Sequence, residues 1–211
     1  MDSPFAALVL AAALAWASGI RLYATLFLIG MAGYFHVGGW SLPPALSVLA
    51  HPWVIVASAS LLVLEFFADK IPAIDSIWDL LHTFVRIPAG ALLAAGVIGA
   101  DDGAAWTVVA GLLGGTITAG THFFKTGSRL AINTSPEPVS NWTASFIEEI
   151  VLLSGLWLAF RHPLIFLLLL ILFGALVAWM LPKLWRLIAR LANRIAAWSG
   201  SASLSTPTGA R

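Results

Sequence analysis

Apolar runs separated by short polar stretches set the pattern of this chain. They cover residues 5–35, 44–68, 87–100, 104–124, 142–160 and 163–181. Most reach or approach the ~20 residues that carry an α-helix across a bilayer. The pattern predicts an all-α fold, a polytopic membrane helix bundle of about six spans. The first run is too long for one straight crossing. Ser18-Gly19, just ahead of Arg21, marks where it should kink or break. The second run carries a disturbance at His51-Pro52. The third offers only ~21 Å of helix, so it re-enters, stands nearly upright, or gains length from the helix before it.

The polar stretches have patterns of their own. Between residues 69 and 86, Ile74, Ile77, Trp78, Leu81 and Val85 form one helical stripe, and Asp75, Asp79, His82 and Arg86 form another. This is a short amphipathic connector helix. Its polar face is either solvated at the interface or turned inward toward Arg21. After the last run, Lys183, Arg186, Arg190 and Arg194 recur at helical spacing opposite Leu184, Leu187, Ile188, Leu191 and Ile195. Residues 182–198 thus read as a C-terminal basic interfacial helix beside anionic lipid headgroups, or as a plain topology anchor. The expected organisation is a transmembrane domain over 1–181, this helix, and a disordered tail over 199–211. Glu65-Phe66-Phe67 and His122-Phe123-Phe124 close two runs in similar fashion, a hint of internal duplication.

Composition agrees with the pattern. The 211 residues are 60% hydrophobic and only 10% charged, against about 25% charged in soluble domains. A net charge of +1 excludes strong electrostatic binding of nucleic acid. The absence of cysteine excludes disulfides and thiolate metal sites. Residues 5–17 lack the positive flank of a signal peptide, Asp2 being their only charged neighbour, and read as a retained helix. With both termini in the cytoplasm, Lys70, Arg86, Lys125, Arg129 and the basic helix all lie inside, and Arg161, Asp101 and Asp102 outside. That is a positive-inside distribution. The sequons at Asn133 and Asn141 then face the cytoplasm and are read as chance.

Against this apolar background Arg21 is the most informative residue. A charge at that depth costs ~2.5–3.5 kcal/mol on insertion scales and therefore faces a partner, a cavity or water. Candidate partners cluster at Glu65, Asp69, Asp75, Asp79, Glu148 and Glu149. Asp69, Asp75 and Asp79 are oxygen ligands that could hold Mg²⁺. The stretch from Thr121 to Arg129 offers His122, Lys125, Arg129 and hydroxyls suited to a phosphate or carboxylate. Pro136 and Pro138 around Glu137 favour an extended turn after Asn133. Glu148 and Glu149 point ~100° apart on a helix, so one of them faces the bundle more easily. Gly111 and Gly115 form a small-xxx-small contact pattern.

Three motifs carry a resemblance. They are Ser18-Gly-Ile-Arg-Leu-Tyr-Ala-Thr25, the stretch from Glu65 to Asp79, and the stretch from Thr121 to Asn141. Over residues 5–181 the chain resembles an uncharacterised bacterial membrane family, catalogued as domain of unknown function 4126. The resemblance implies a multi-pass protein of the bacterial inner membrane. It carries over no catalytic or ligand residues.

Function therefore rests on the residues. The favoured expectation is a small transporter or flippase-like protein with a polar site at the cytoplasmic side. Arg21, Glu65, His122, Lys125, Arg129, Asn133 and Glu148 would bind the substrate, and Glu65 or Glu148 could couple a proton. The alternative is a Mg²⁺-dependent membrane enzyme acting on a lipid phosphate, with Asp69, Asp75 and Asp79 on the metal. A structural or assembly subunit is the third reading. The lipid bilayer is the expected partner, with homo-oligomerisation as a further option.

Overall fold

The computed structural model describes residues 3–99, 103–133 and 138–202. Its elements are α1 (Pro4–Tyr34), two short 3₁₀ segments (Val37–Gly39 and Pro44–Ala50), α2 (Pro52–Ala68), α3 (Pro72–Ile98), α4 (Ala104–Asn133), α5 (Pro138–Arg161) and α6 (Pro163–Ala202). The described residues contain no strand. Five of these helices begin on proline, whose missing N–H costs nothing at a helix start. Side-chain caps complete two of the starts. Ser3 Oγ accepts from the Ala6 N–H at 3.2 Å, and His51 Nδ1 accepts from the Trp53 N–H at 3.3 Å.

The bundle is inside out relative to a soluble protein. On α3 the apolar stripe is bare, with Leu81 61% exposed, and it widens to take in Leu80 and Phe84, the latter 79% exposed, whereas Asp75, Asp79 and Arg86 on the opposite face are buried. Only a hydrocarbon solvent makes that arrangement favourable. Five helices are long and apolar enough to cross a membrane, or six if the pair Pro44–Ala50 and Pro52–Ala68, bent by 67°, counts as one span. The bend falls at His51-Pro52, where the sequence places a disturbance. The protein is a multi-pass membrane protein.

The first helix is the core of the bundle, and its path differs from a kinked crossing. The break lies at Arg21 itself (φ −147, ψ 95) rather than at Ser18-Gly19. Residues before the break run alongside α5 in the opposite direction. Arg21 meets Ser145, Trp16 packs over Gly155, and Val9 shares a core cluster with Ala159. Residues after the break run back along α2. Arg21 meets Asp69 just past the end of α2, and Gly30 lies against the Leu49 carbonyl and Ile55 at its start. Both ends of α1 therefore lie at one end of the bundle and Arg21 at the other. The helix is a hairpin of two arms, about 26 and 20 Å long. Its most apolar stretch is 72% buried, against 11–28% for the other candidate spans.

Two boundaries also differ from the sequence reading. The amphipathic connector is not a separate helix. It runs through Pro88 into the third span to give one helix, α3, of 27 residues, about 40 Å long, which removes the problem of a span too short to cross. Likewise α4 does not stop at Phe124 but continues to Asn133, carrying Lys125 and Arg129 on a helix rather than in a loop.

Helices α3 and α4 pack closely because small residues line their seam. Gly90, Ala91 and Ala94 face Gly111, Gly114 and Gly115. Thr118 closes the layer by donating to the Ala15 carbonyl of α1 at 2.8 Å.

The chain divides into two compact units, Met1–Gly174 and Ala175–Arg211. In the second, Lys183 Nζ sits 3.0 Å from the centre of the Trp179 ring, and Arg186 Nε donates to the Pro182 carbonyl at 3.1 Å. Helix continues to Ala202, past the point where the sequence suggests a tail. Residues 203–211 lie outside the described residues, as do Asp101, Asp102 and the turn around Glu137.

Candidate functional site

The break in α1 opens onto a buried network of charge at one end of the bundle. Three regions supply it: the α2–α3 connection, the last turns of α4 and the first turns of α5. Arg21 is fully buried. Its Nη2 lies 2.6 Å from Asp69 Oδ2 and 3.4 Å from Glu148 Oε2, and donates to Ser145 Oγ at 2.8 Å. Its Nε lies 3.5 Å from Glu149 Oε1. An irregular residue here suits a guanidinium, because the break lets the side chain leave the helix axis and reach α2 and α5 together.

A second guanidinium anchors the α3 side. Arg86 Nη2 pairs with Glu65 Oε1, and Nη1 lies 3.0 Å from Asp79 Oδ1. The same Nη1 donates to His122 Nδ1 at 3.2 Å. That bond fixes the imidazole tautomer: Nδ1 accepts, so Nε2 carries the proton and donates to Thr83 Oγ1 at 2.7 Å. Thr83 in turn donates to the Asp79 carbonyl at 2.9 Å, and Thr126 donates to Asp79 Oδ2 at 3.2 Å. Nearby, the Tyr23 hydroxyl donates to His82 Nε2 at 3.0 Å, and His82 Nδ1 donates to the Trp78 carbonyl at 2.8 Å.

The two halves meet on α4. Lys125 Nζ lies 3.5 Å from Glu148 Oε2, 3.7 Å from Asp79 Oδ1 and 3.9 Å from Asp69 Oδ2. Arg129 Nε donates to Glu148 Oε1 at 2.7 Å, Nη2 lies 3.7 Å from Asp69 Oδ2, and Nη1 donates to the Asn141 carbonyl at 3.2 Å. At the rim, Lys70 lies 3.0 Å from the Phe66 ring centre. Partial burial and the positive charge of Arg21 hold its ammonium below the usual lysine range.

Among the described residues the cluster gathers Glu65, Asp69, Asp75, Asp79, Glu148 and Glu149 with Arg21, Arg86, Lys125 and Arg129, and Lys70 stands at its rim. Several of its atoms keep unused hydrogen-bonding capacity, among them Lys125 Nζ, Glu65 Oε2, Glu148 Oε2 and Arg21 Nη1. Beside it lies a cavity of about 1090 Å³ between α1, α4, α5 and the first part of α6. Its walls are apolar, and Lys125 and Glu148 are the charged residues that line it.

Most of the sequence candidates converge here, with changed partners. Arg21, Glu65, His122, Lys125, Arg129 and Glu148 all belong to the network, Glu65 as the partner of Arg86. Glu148 and Glu149 both reach Arg21. The side chain of Asn133 lies outside the described residues. Asp69, Asp75 and Asp79, the expected Mg²⁺ ligands, are buried together with the rest. Among the described residues no three such groups come together to hold a metal ion, and Asp69 and Asp79 each face two or more cations of the protein itself. Lys125 and Arg129 likewise face protein carboxylates.

Members of the network outside the expected substrate and metal sets include Arg86, Ser145, Asn141 and Thr126. Arg86 carries a readable signal, a cation between Val85 and Ile87 in line with Asp79 and His82. The other three are ordinary polar residues whose role depends on packing.

No curated protein and no solved structure matches this chain. A family described as Domain of unknown function (DUF4126) matches residues 8–183, a range that spans the hairpin, both connections and the whole charge network, and the chain belongs to that family.

Proposed function

We propose that the protein is a small transporter or flippase-like protein whose polar site is the network around Arg21. The observation that carries this reading is the broken helix. Non-helical backbone within a membrane protein is tolerated where it is buried in protein or lines a cavity, and transporters place their sites at such breaks. Here the break holds a buried arginine among three carboxylates, next to a large cavity.

Lys70, Lys125 and Arg129 stand at the polar end and Arg161 at the other, so the polar end is assigned to the cytoplasmic side of a bacterial inner membrane. The hairpin then puts the N-terminus on the outer side, in place of the two cytoplasmic termini expected from a six-span count.

The test is reconstitution. Liposomes containing the protein are assayed for movement of a fluorescent phospholipid between leaflets and for uptake of charged solutes. Transport by the wild type that falls to the protein-free background in Arg21→Ala and Glu65→Gln supports the reading. Transport unchanged in both variants, or absent from well-folded wild type, overturns it and leaves a structural role for the charge network.

A further inference from the structure

We propose that the cavity beside the charge network holds one phospholipid of the bilayer, zwitterionic and with a primary-amine headgroup, its chains against the apolar walls and its head at Lys125 and Glu148. This deepens the transporter reading of the same site and rests on it for function, though not for binding.

Size and gradient point to a lipid. A volume of about 1090 Å³ lies just above the ~300–1,000 Å³ typical of small-molecule sites. Trp16, Phe124, Val151, Leu158, Phe166 and Phe173 form much of the wall. Its two charged residues, Lys125 and Glu148, lie toward one end with Ser128 near them, and Thr121 and Ser154 are the further hydroxyls of the wall. Along α5 the lining runs from Ala144 to Leu158, and the part from Glu148 to Leu158 rises about 15 Å. That is half of a ~30 Å hydrocarbon core, the depth of one leaflet. A site charged at one end and apolar over the depth of a leaflet matches a lipid standing in its own half of the bilayer.

The charges choose the headgroup. Lys125 is 4% exposed, and its Nζ makes no hydrogen bond although it faces three carboxylates. It therefore has N–H groups to offer a phosphate. Glu148 Oε2, 3.5 Å from that Nζ, also makes no hydrogen bond and can accept one from an ammonium. A purely anionic head at Lys125 would also come close to the carboxylates that Lys125 already faces, Asp69, Asp79 and Glu148. A zwitterion brings its own cation. A primary ammonium donates to Glu148, which a quaternary choline cannot do.

The full-length protein is purified in detergent and offered equal amounts of phosphatidylethanolamine, phosphatidylcholine and phosphatidylglycerol with identical chains. Retained lipid is counted by native mass spectrometry. The wild type is expected to keep one phosphatidylethanolamine in preference to either competitor by about tenfold, the ratio one charge-assisted hydrogen bond supplies. Ala144→Trp and, separately, Val151→Trp fill the cavity while leaving every charged residue in the sequence and should abolish retention at an unchanged thermal midpoint. Glu148→Gln should keep a bound lipid but lose the preference for phosphatidylethanolamine over phosphatidylcholine. Equal retention of all three lipids by wild type and both cavity-filling variants overturns the proposal, as does preference for phosphatidylglycerol. Specific retention without any transport in liposomes sinks the transporter reading and leaves the lipid site standing. Transport sensitive to Arg21→Ala without specific retention does the reverse.

Discussion

Replacing Arg21 by methionine tests the organisation of the network directly. The side chain keeps its bulk and loses its charge. In the wild type Nη2 lies 2.6 Å from Asp69 Oδ2 and 3.4 Å from Glu148 Oε2, with all of Arg21 and Asp69 buried. Breaking a buried pair by removing one partner costs ~3–5 kcal/mol, because the other charge stays buried without compensation. Asp69 is not fully abandoned here, since Arg129 Nη2 and Lys125 Nζ remain at 3.7 and 3.9 Å. The loss should therefore fall at the lower end, about 3 kcal/mol. At ~2–4 °C per kcal/mol for a chain of this size, the thermal midpoint in detergent should drop by about 6–12 °C. The double variant Arg21→Met/Asp69→Asn should recover part of that, with a coupling of about 1 kcal/mol or more between the two sites. A midpoint that moves by less than ~1 °C in Arg21→Met, with no coupling to Asp69, would refute the view that this guanidinium compensates buried carboxylates.

Three further outcomes follow from the fold. Because both ends of α1 lie away from the polar end, Ser3→Cys and Lys70→Cys should react with a membrane-impermeant maleimide from opposite faces of a sealed vesicle; reaction from the same face rules out the hairpin. A Cβ at Gly90 would come within 2.8 Å of Thr118 Cβ, so Gly90→Val should cost ~1–3 kcal/mol by overpacking the α3–α4 seam, read as a lowered thermal midpoint. Phe84 is 79% exposed on the apolar stripe, so a nitroxide attached to Phe84→Cys in liposomes should collide with oxygen and not with a water-soluble nickel chelate. Strong nickel broadening would mean that this face meets water.

The sequence by itself determined the class and singled out many of the charged residues that the network gathers. Hydropathy period and span length follow from a solvent that cannot hydrogen-bond the backbone, so helices and their approximate limits can be read residue by residue. The cost of burying charge made Arg21 stand out, and the rarity of other charges pointed to Glu65, Lys125, Arg129 and Glu148. Tertiary structure decided the rest. Whether a 31-residue apolar segment crosses once or doubles back has no signature in composition, because both arms are apolar. The choice was made by backbone dihedrals at one residue and by which helices lie beside each arm. Pairing was also undecidable from the chain alone. Any of four cations could have served any carboxylate, and only helix register set Arg86 on Glu65, Arg21 on Asp69, and Lys125 between them. The same register set Asp69 and Asp79 against protein cations, since a carboxylate buried in low dielectric is stabilised by the nearest fixed positive charge.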